Sequence, residues 1–394
     1  MRGSTLPDVD PGLVSFREAV VRALATVGDA PDAPDRRPPD ARTLWRALGK
    51  AGVISALYER PSGDSRCGPG IPRLDVLLTE LDSRYPTGLV LSVCVQVATV
   101  IPVLREATAR GAAKRVGQGA LGGDLIIALG VTDDAAAGSD LLNAGTRLRA
   151  AGDGAVLDGG KDWITNACFC DYALVLARHR EVRHFTSFRW VLVPATAPGV
   201  SARPASETLF AGSGVGHLRF RDVALADDYL AGPPGRGLGG FVRHVGTERL
   251  AGALWARALC RRVLSATRQR LARRALGGRS LWENDALRKR FARCLVELRR
   301  IDALCRMHQT GLDGIDAASG MLLKASVAES VSLILGECVQ MRGADAFRDG
   351  GEAILQAEAA MFGIAGGATG AMLAGIADHA DELLEARTPM EERT

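Results

Sequence analysis

The chain has 394 residues, 47% of them hydrophobic and 24% charged, which is the composition of a globular protein with a large buried core. The net charge of +4 is small for this length, and no basic run alternates with aromatic residues, which argues against a nucleic-acid-binding protein. The first residues carry no apolar signal segment, and no run reaches about 18 consecutive apolar residues. We therefore expect a soluble, cytoplasmic protein that does not associate with a membrane.

Residues 1–121 have the pattern of a helical domain. Apolar residues at helical spacing predict four helices, at Leu13–Val27, Ala41–Ala51, Ile71–Asp82 and Thr87–Arg110. Two stretches rich in proline, glycine and aspartate separate these helices and are predicted to be loops, because proline cannot continue a helix.

In residues 122–232 the pattern changes to short apolar runs with turn residues between them. The predicted strands are Leu125–Val131, Thr146–Ala150, Ala155–Leu157, Tyr172–Ala177, Arg189–Pro194, Val200–Pro204 and His217–Val223. Strands at this spacing predict a small sandwich or barrel. No glycine-rich phosphate loop joins a strand to a helix here, so a Rossmann nucleotide site is not expected.

Residues 233–394 return to a helical pattern. Apolar residues recur every three or four positions at Leu250, Leu254 and Ala258, and at Leu287, Phe291, Leu295 and Leu298. Long helices with such stripes are typical of a helical bundle. The order helical, β and helical predicts an α+β fold of three domains, 1–121, 122–232 and 233–394.

The eight cysteines and six histidines do not have the spacing of a metal site. Cys168 and Cys170 are two residues apart, but no second pair completes a ligand set. We therefore predict no metal and free, mostly buried thiols.

Five short segments occur in succession along the chain: VTDDAAAGSD (131–140), GGKDWITNA (159–167), GHLRFRDVAL (216–225), TERLAGA (247–253) and CVQMRGADAF (338–347). They are similar to sequence motifs of the acyl-CoA dehydrogenase superfamily and occur in the family's order. Each segment is a weak signal alone, but five in succession are specific. The resemblance implies an N-terminal helical domain, a central β-sandwich or barrel and a C-terminal four-helix bundle, with FAD as cofactor.

The first two segments carry the residues that the resemblance places against the flavin. An isoalloxazine ring needs hydrogen-bond partners at its edge and a flat wall against one face. The resemblance implies that Thr132, Ser139, Trp163 and Thr165 contact FAD, with Trp163 as the wall. Without the family motifs, Trp163 would be interpreted as a core aromatic residue.

A second group of residues is implied to bind the FAD diphosphate and adenine across a subunit interface. The glutamine and the first glycine of the family's Q-x-x-G-G segment correspond to Gln340 and Gly343. The family's arginine corresponds to Arg274, although Arg273 fits a slightly different alignment. A shared cofactor site implies a homodimer or homotetramer.

The sequence departs from the family pattern at the position of the catalytic base. Many family members place a glutamate in a Y-E-G-T segment, but here the matching stretch is GIAGGATGA (363–371), with Gly366 at the glutamate position. The isovaleryl and long-chain dehydrogenases carry the base in the E-R-L segment instead, which corresponds to Glu248. The resemblance therefore implies Glu248 as the base; the alternative is that Glu248 only pairs with an arginine at the start of a helix.

The resemblance implies α,β-dehydrogenation of an acyl thioester, either acyl-CoA or an acyl group on a carrier protein. Reduced FAD would pass electrons to an electron-transfer flavoprotein or to oxygen. The change of the family's T-E-P to T-D-D-A and the glycine-rich GIAGGATGA suggest a specialised, secondary-metabolic enzyme. The alternatives are a flavin-dependent monooxygenase or oxidase on the same fold, and a non-catalytic member. The acyl group, the carrier and the electron acceptor stay open.

Overall fold

The computed structural model describes residues 10–28, 40–60, 67–107, 111–134, 138, 140–206, 208–309, 315–348 and 350–385. The chain divides into two compact units, residues 1–244 and 245–394. The first unit contains both the N-terminal helices and the sheet. The domain boundaries at 121/122 and 232/233 stay predictions.

The N-terminal helices follow the periodicity of the sequence closely. They are α1 (Pro11–Val27), α2 (Ala41–Lys50), α3 (Val53–Ala56), α4 (Ile71–Asp82), α5 (Thr87–Val95), α6 (Ile101–Ala107) and α7 (Gly111–Leu121). The start of α1 has a local cause: the Asp10 side chain accepts the Gly12 N–H, and Pro11 stands at the first helical position. The short α3 and α7 were not predicted, and residues 108–110 at the end of the fourth predicted helix lie outside the described residues.

Helices α5 and α6 are joined by a π-helical turn, Gln96–Val100, into one apolar helix over Thr87–Ala107. By length and composition this helix could cross a membrane, but 89% of its most apolar window is buried inside the protein, as in a core helix. Polar side chains attach it to the sheet: Gln96 Oε1 accepts the Ile127 N–H at 3.0 Å. The helix therefore supports the sheet from within the first unit.

The strands of the first unit form one mixed sheet of eight strands. They are β1 (Ile127–Gly130), β2 (Arg147–Ala151), β3 (Gly154–Ile164), β4 (Tyr172–Arg178), β5 (Phe188–Pro194), β6 (Val200–Pro204), β7 (Gly216–Ala226) and β8 (Leu230–Ala231). Their order is β6-β7-β3-β2-β4-β5-β8, and β1 pairs in parallel with β4. The pairing of β3 with β7 is irregular between Lys161 and Ile164, which changes the direction of the backbone at Trp163.

The C-terminal region consists of helices. They are α8 (Gly237–Arg273), α9 (Asp285–Gln309), α10 (Ala317–Arg342), α11 (Glu352–Ala359), α12 (Thr369–Asp378) and α13 (Ala380–Glu385), with a hairpin of β9 (Ala275–Leu276) and β10 (Arg279–Ser280). In the second unit α10 lies against α9, α11 and α12. Arg257 and Arg261 of α8 reach Asp302 of α9 at 3.6 and 3.1 Å. Of the predicted apolar stripes, Leu295 is exposed and Leu250, Leu254 and Phe291 are buried.

Candidate functional site

The end of β3 and the turn that follows it carry two of the predicted flavin residues, Trp163 and Thr165, and the backbone there is strained. Trp163 (φ 58°) and Asn166 (φ 69°) both adopt the left-handed conformation, which is costly for residues other than glycine. Asn166 is fully buried; its N–H donates to Ser213 O at 2.9 Å, and its side-chain oxygen accepts from Ser92 Oγ at 2.6 Å. These bonds hold the turn in place, so the strain is supported by its surroundings.

The Trp163 indole stands out from the sheet. Its side chain is 60% exposed, although tryptophan is usually buried. Its edge packs against the His217 ring, with the two ring centroids 5.6 Å apart. His217 Nδ1 lies 2.8 Å from Asp162 Oδ1, which also accepts a bond from Arg219 at 2.7 Å. Burial alone raises the pKa of Asp162, but the bonds from Arg219 and His217 hold that pKa below its usual value.

A buried ion pair fastens the first predicted flavin segment to β3. Lys161 is fully buried, and its Nζ lies 3.0 Å from Asp133 Oδ2 and 3.2 Å from Val131 O. Asp133 also accepts bonds from Gly145 N, Thr146 N and Thr146 Oγ1. Burial alone raises the pKa of Asp133, but the Lys161 charge and these bonds hold it well below its usual range. Asp133 is therefore an anion at every ordinary pH.

This pair places Thr132 beside the end of β3. The Thr132 carbonyl accepts the Asp162 N–H at 3.1 Å, one residue before Trp163. A Cβ on Gly138 would lie 3.3 Å from Thr132 Cγ2, so Gly138 lies close to the Thr132 side chain. The structure thus brings Thr132, Trp163 and Thr165 to one end of one strand. Ser139 lies outside the described residues.

In the second unit, Arg274, Gln340 and Gly343 belong to one neighbourhood. Gln340 is exposed on the last turn of α10, and Gly343 caps that helix with φ 63°. Arg274 Nη1 lies 3.6 Å from the carboxylate of Asp345, two residues after Gly343. A Cβ on Gly343 would meet no atom within 4 Å, so open space borders this turn.

Four arginines meet around the same turn. The pKa of Arg270 is lowered by desolvation and by the charges of Arg274, Arg342 and Arg348. Asp345 pairs with both Arg270 and Arg274. Arg270 Nε is buried without an acceptor among the described residues, which leaves a donor for an oxyanion. Guanidinium groups are well suited to phosphate oxygens because they donate several bonds from one plane.

The carboxylate of Glu248 lies beside the position where many family members carry their base. Glu248 is part-exposed on α8, and a Cβ built on Gly366 would lie 2.9 Å from Glu248 Oε1 and 3.5 Å from its carboxyl carbon. Real Cβ atoms essentially never come within 3.0 Å of such an atom, so any side chain at 366 would displace the carboxylate. Gly366 also has φ 69°, which favours glycine. The two predicted base positions therefore share one region of space.

Two cations accompany Glu248. Burial lowers the pKa of Arg249, while the neighbouring Glu248 charge acts in the opposite direction. Lys324 of α10 is only 7% exposed, and its Nζ donates to the Phe362 carbonyl at 2.8 Å. Burial lowers the pKa of Lys324 to about 8, with Glu248 raising it and Arg249 lowering it further.

Each of the two units contains residues of the kind that can bind one part of FAD. The first unit presents an exposed indole on a strained, well-supported turn, which suits a flat ring. The second unit presents converging guanidinium groups and an unsatisfied donor, which suit a diphosphate. Sequence reasoning had not selected Lys161 or Asn166 as supports, although both stand in the quoted GGKDWITNA segment; nor had it selected Lys324, which no quoted motif contains.

Two family models match the chain in succession. The acyl-CoA dehydrogenase middle domain matches residues 128–223, and the acyl-CoA dehydrogenase C-terminal domain matches residues 235–380. The chain belongs to the acyl-CoA dehydrogenase superfamily, whose members are FAD-dependent oxidoreductases that act on CH–CH bonds. The predictions of this family, of an enzyme of this class and of FAD as its cofactor are confirmed.

Individual relatives with acyl-group dehydrogenase names match the chain over more than three quarters of its length. The chain is 26% identical over 318 residues to the acyl-[acyl-carrier-protein] dehydrogenase MbtN of Mycobacterium sp. (strain MCS), covering 78% of this chain and 77% of the relative. It is 23% identical over 312 residues to the mitochondrial long-chain specific acyl-CoA dehydrogenase of Mus musculus, covering 77% and 70%.

A glutaryl-CoA dehydrogenase from Mycobacterium smegmatis, solved in complex with FADH2, has the same fold. It superimposes with a TM-score of 0.81 at 19% identity, covering 96% of this chain and 97% of the other. This likeness confirms the predicted α+β fold of helical, β and helical regions.

Proposed function

We propose that this protein catalyses the FAD-dependent α,β-dehydrogenation of an acyl thioester, with Glu248 as the base that removes the α-proton. The observation that supports it is the position of the Glu248 carboxylate in the space left free at Gly366. Gly366 has no side chain at the usual position of the base. The Glu248 carboxylate lies so close to Gly366 that a side chain there would displace it. The alternative role of Glu248, pairing with an arginine, would not require a glycine at 366.

The chemistry that FAD supplies when bound is acceptance of a hydride from the β-carbon. The residues of this chain do the rest. Thr132, Ser139, Trp163 and Thr165 are proposed to hold the flavin ring, and Arg274, Gln340 and Gly343 the diphosphate and adenine. Glu248 accepts the α-proton as the general base.

The carrier and the cellular setting are part of the proposal. The name of the MbtN relative specifies an acyl group on a carrier protein, and that of the mouse relative specifies acyl-CoA; both are thioesters. We infer a thioester of CoA or of a carrier protein, used in a specialised pathway of the cytoplasm. Electrons would leave to an electron-transfer flavoprotein, and the working protein would be a homodimer or homotetramer.

The test is anaerobic bleaching of the flavin absorbance. The purified, FAD-loaded protein is mixed with straight-chain and branched acyl-CoA thioesters and with the same acyl groups on a phosphopantetheinylated carrier protein. Bleaching by at least one thioester, with formation of the α,β-unsaturated product, supports the proposal. Absence of bleaching across the whole panel, in protein that holds FAD, would contradict it.

Trp163→Ala should weaken FAD binding by about tenfold or more, because the flavin would lose an aromatic wall. Stability should change little, since the indole is 60% exposed and its aromatic contact is with the His217 ring. The measurement is the FAD dissociation constant from fluorescence titration of deflavinated protein. Phe185→Ala, an exposed aromatic residue of the same unit, is the control and should bind FAD normally. Equal affinity in both variants would remove Trp163 from the flavin site.

Gly366→Ala should slow flavin reduction by about tenfold or more, because the new Cβ would lie 2.9 Å from Glu248 Oε1. Backbone strain from φ 69° adds roughly 1 kcal/mol of destabilisation. Gly350→Ala separates the two effects: Gly350 has φ 66°, but a Cβ there meets nothing within 4 Å. Single-turnover stopped-flow at saturating thioester is the measurement. If both alanine variants reduce flavin at the wild-type rate, the steric link between 366 and Glu248 is wrong.

A further inference from the structure

We propose that Lys324 is a positioning residue for the base: its ammonium group tethers the glycine-rich loop beside Glu248 and keeps the Glu248 carboxylate ionised. This inference rests on the proposed function of Glu248 and adds a residue that none of the sequence motifs contains. Two geometric observations support the inference. Lys324 donates a hydrogen bond to the Phe362 carbonyl, and the Glu248 carboxylate lies directly beside Gly366.

The Phe362 carbonyl belongs to the short helical turn Ala360–Gly363, which leads directly into the glycine-rich stretch. Lys324 Nζ donates to that carbonyl at 2.8 Å, so α10 is joined to the start of the loop. Four residues later, at Gly366, the same loop lies against the Glu248 carboxylate. The Phe362 ring packs edge-on against Trp255 of α8, with ring centroids 5.2 Å apart. The loop is therefore fixed to α10 on one side and to α8 on the other.

The surroundings of Arg249 show independently that α8 and α10 lie close together near Glu248 and Lys324. A Cβ on Gly320, one turn before Lys324 in α10, would lie 3.4 Å from Arg249 Nη1. A Cβ on Gly367 would lie 3.8 Å from Arg249 Nη2. The helix that carries Glu248 and Arg249, the helix that carries Lys324 and the loop at 366–367 therefore converge on one small volume.

Within that volume Lys324 needs a counter-charge. It is 7% exposed, and a single carbonyl cannot solvate a buried ammonium group. The charged groups of the described residues whose fields act on Lys324 are Glu248, which favours its charged form, and Arg249, which opposes it. The turn at 360–363 contributes no titratable side chain, and the α12 residues that pack against α10, Ala371, Met372 and Ile376, are apolar. Glu248 is thus the anion whose field favours the charged form of this lysine.

The interaction acts in both directions. A cation near a carboxylate favours the anion and therefore lowers the carboxyl pKa. Burial lowers the pKa of Lys324 to about 8, so the amine is mostly charged at pH 7. Removing this charge should therefore raise the pKa of Glu248. Since only the ionised carboxylate can take a proton, the acid limb of the rate profile should move to higher pH.

The variants Lys324→Gln and Lys324→Arg separate the effect of the ammonium charge from the effect of the hydrogen bond to the Phe362 carbonyl. Glutamine can still donate to the Phe362 carbonyl but carries no charge, whereas arginine keeps the charge. Flavin reduction by the best thioester of the panel is measured in single turnover between pH 5 and 10. We expect the acid limb of Lys324→Gln to shift upward by about one pH unit, with the rate approaching that of the wild type at high pH. Lys324→Arg should keep the wild-type limb, and so should Lys289→Gln, the control at an exposed lysine of α9.

A second readout does not depend on turnover. Infrared difference spectra of the FAD-loaded protein between low and high pH report the protonated carboxyl band of Glu248, identified by its loss in Glu248→Gln. That band should titrate at higher pH in Lys324→Gln than in the wild type. If wild-type flavin reduction requires Glu248 but both the rate profile and the band of Lys324→Gln coincide with the wild type, the role of Lys324 is wrong while the proposed function stands. If the wild type reduces no flavin with any thioester, the proposed function fails, and the infrared titration alone decides whether Lys324 controls Glu248.

Discussion

Glu248→Gln should lower the rate of flavin reduction by a thioester about a hundredfold to ten-thousandfold, the range that a positioned general base contributes. Glutamine has nearly the same shape, so it can occupy the space beside Gly366 without a clash, but its amide cannot accept the α-proton. FAD content should not change, since the proposed flavin residues lie elsewhere in the sequence. The measurement is anaerobic stopped-flow bleaching at saturating substrate, with substrate binding followed separately.

The matched control for this prediction is Glu329→Gln, at an exposed glutamate of α10, which should reduce flavin at the wild-type rate. The pair of variants also separates the competing functions on this fold. A monooxygenase that forms its oxidant from reduced flavin and oxygen would not need a base to remove an α-proton, so Glu248→Gln would retain its activity. Flavin reduction in Glu248→Gln within tenfold of the wild type would therefore contradict the proposed dehydrogenation mechanism.

The architecture could be predicted from local patterns because each element shows its own periodicity. The predicted helix Ile71–Asp82 and strand Val200–Pro204 agree with the structure at both ends. The predicted Ala155–Leu157 was too short, because β3 continues to Ile164 through glycines and a lysine that do not look like a strand. Short helices without a long apolar stripe, such as α3, were also missed.

The candidate site was less accessible to sequence reasoning, because its contacts join residues that are far apart in the chain. The resemblance pointed to Glu248 and to the missing glutamate at Gly366, but not to their contact across 118 positions. Lys161 is fully buried, and its partner Asp133 is found only through the pairing of β3 with the segment after β1. No periodicity specifies such a pairing. The left-handed backbone of Trp163 is likewise a consequence of the irregular β3–β7 register.

Lys161→Met should destabilise the first unit by about 3 to 5 kcal/mol, the usual cost of breaking a buried ion pair by removing one partner. Methionine fills much of the lysine volume, but the buried Asp133 carboxylate would lose the ammonium group that lies 3.0 Å from its Oδ2. The three hydrogen bonds from Gly145 and Thr146 would remain, which places the expected value toward the lower end. The measurement is the urea midpoint of the transition reported by tryptophan fluorescence.

FAD retention should fall together with stability in Lys161→Met, because the pair holds the segment of Thr132 against the strand that carries Trp163. The exposed Lys289→Met is the control and should change neither property.

The double variant Lys161→Met, Asp133→Asn tests the electrostatic cause directly. It removes the uncompensated charge, so it should be more stable than Lys161→Met alone, and the two single losses should not add. The single amide oxygen of asparagine can keep the two bonds that Thr146 donates to Oδ2, but the bond that Gly145 N donates to Oδ1 would be lost, so recovery should be partial. If the losses of the two single variants instead add fully, the pair carries no coupling energy, and the stability of this segment comes from hydrogen bonds and packing alone. A double variant that recovers stability but not FAD retention would show that the lysine charge itself, rather than the position of the segment, is needed for the cofactor.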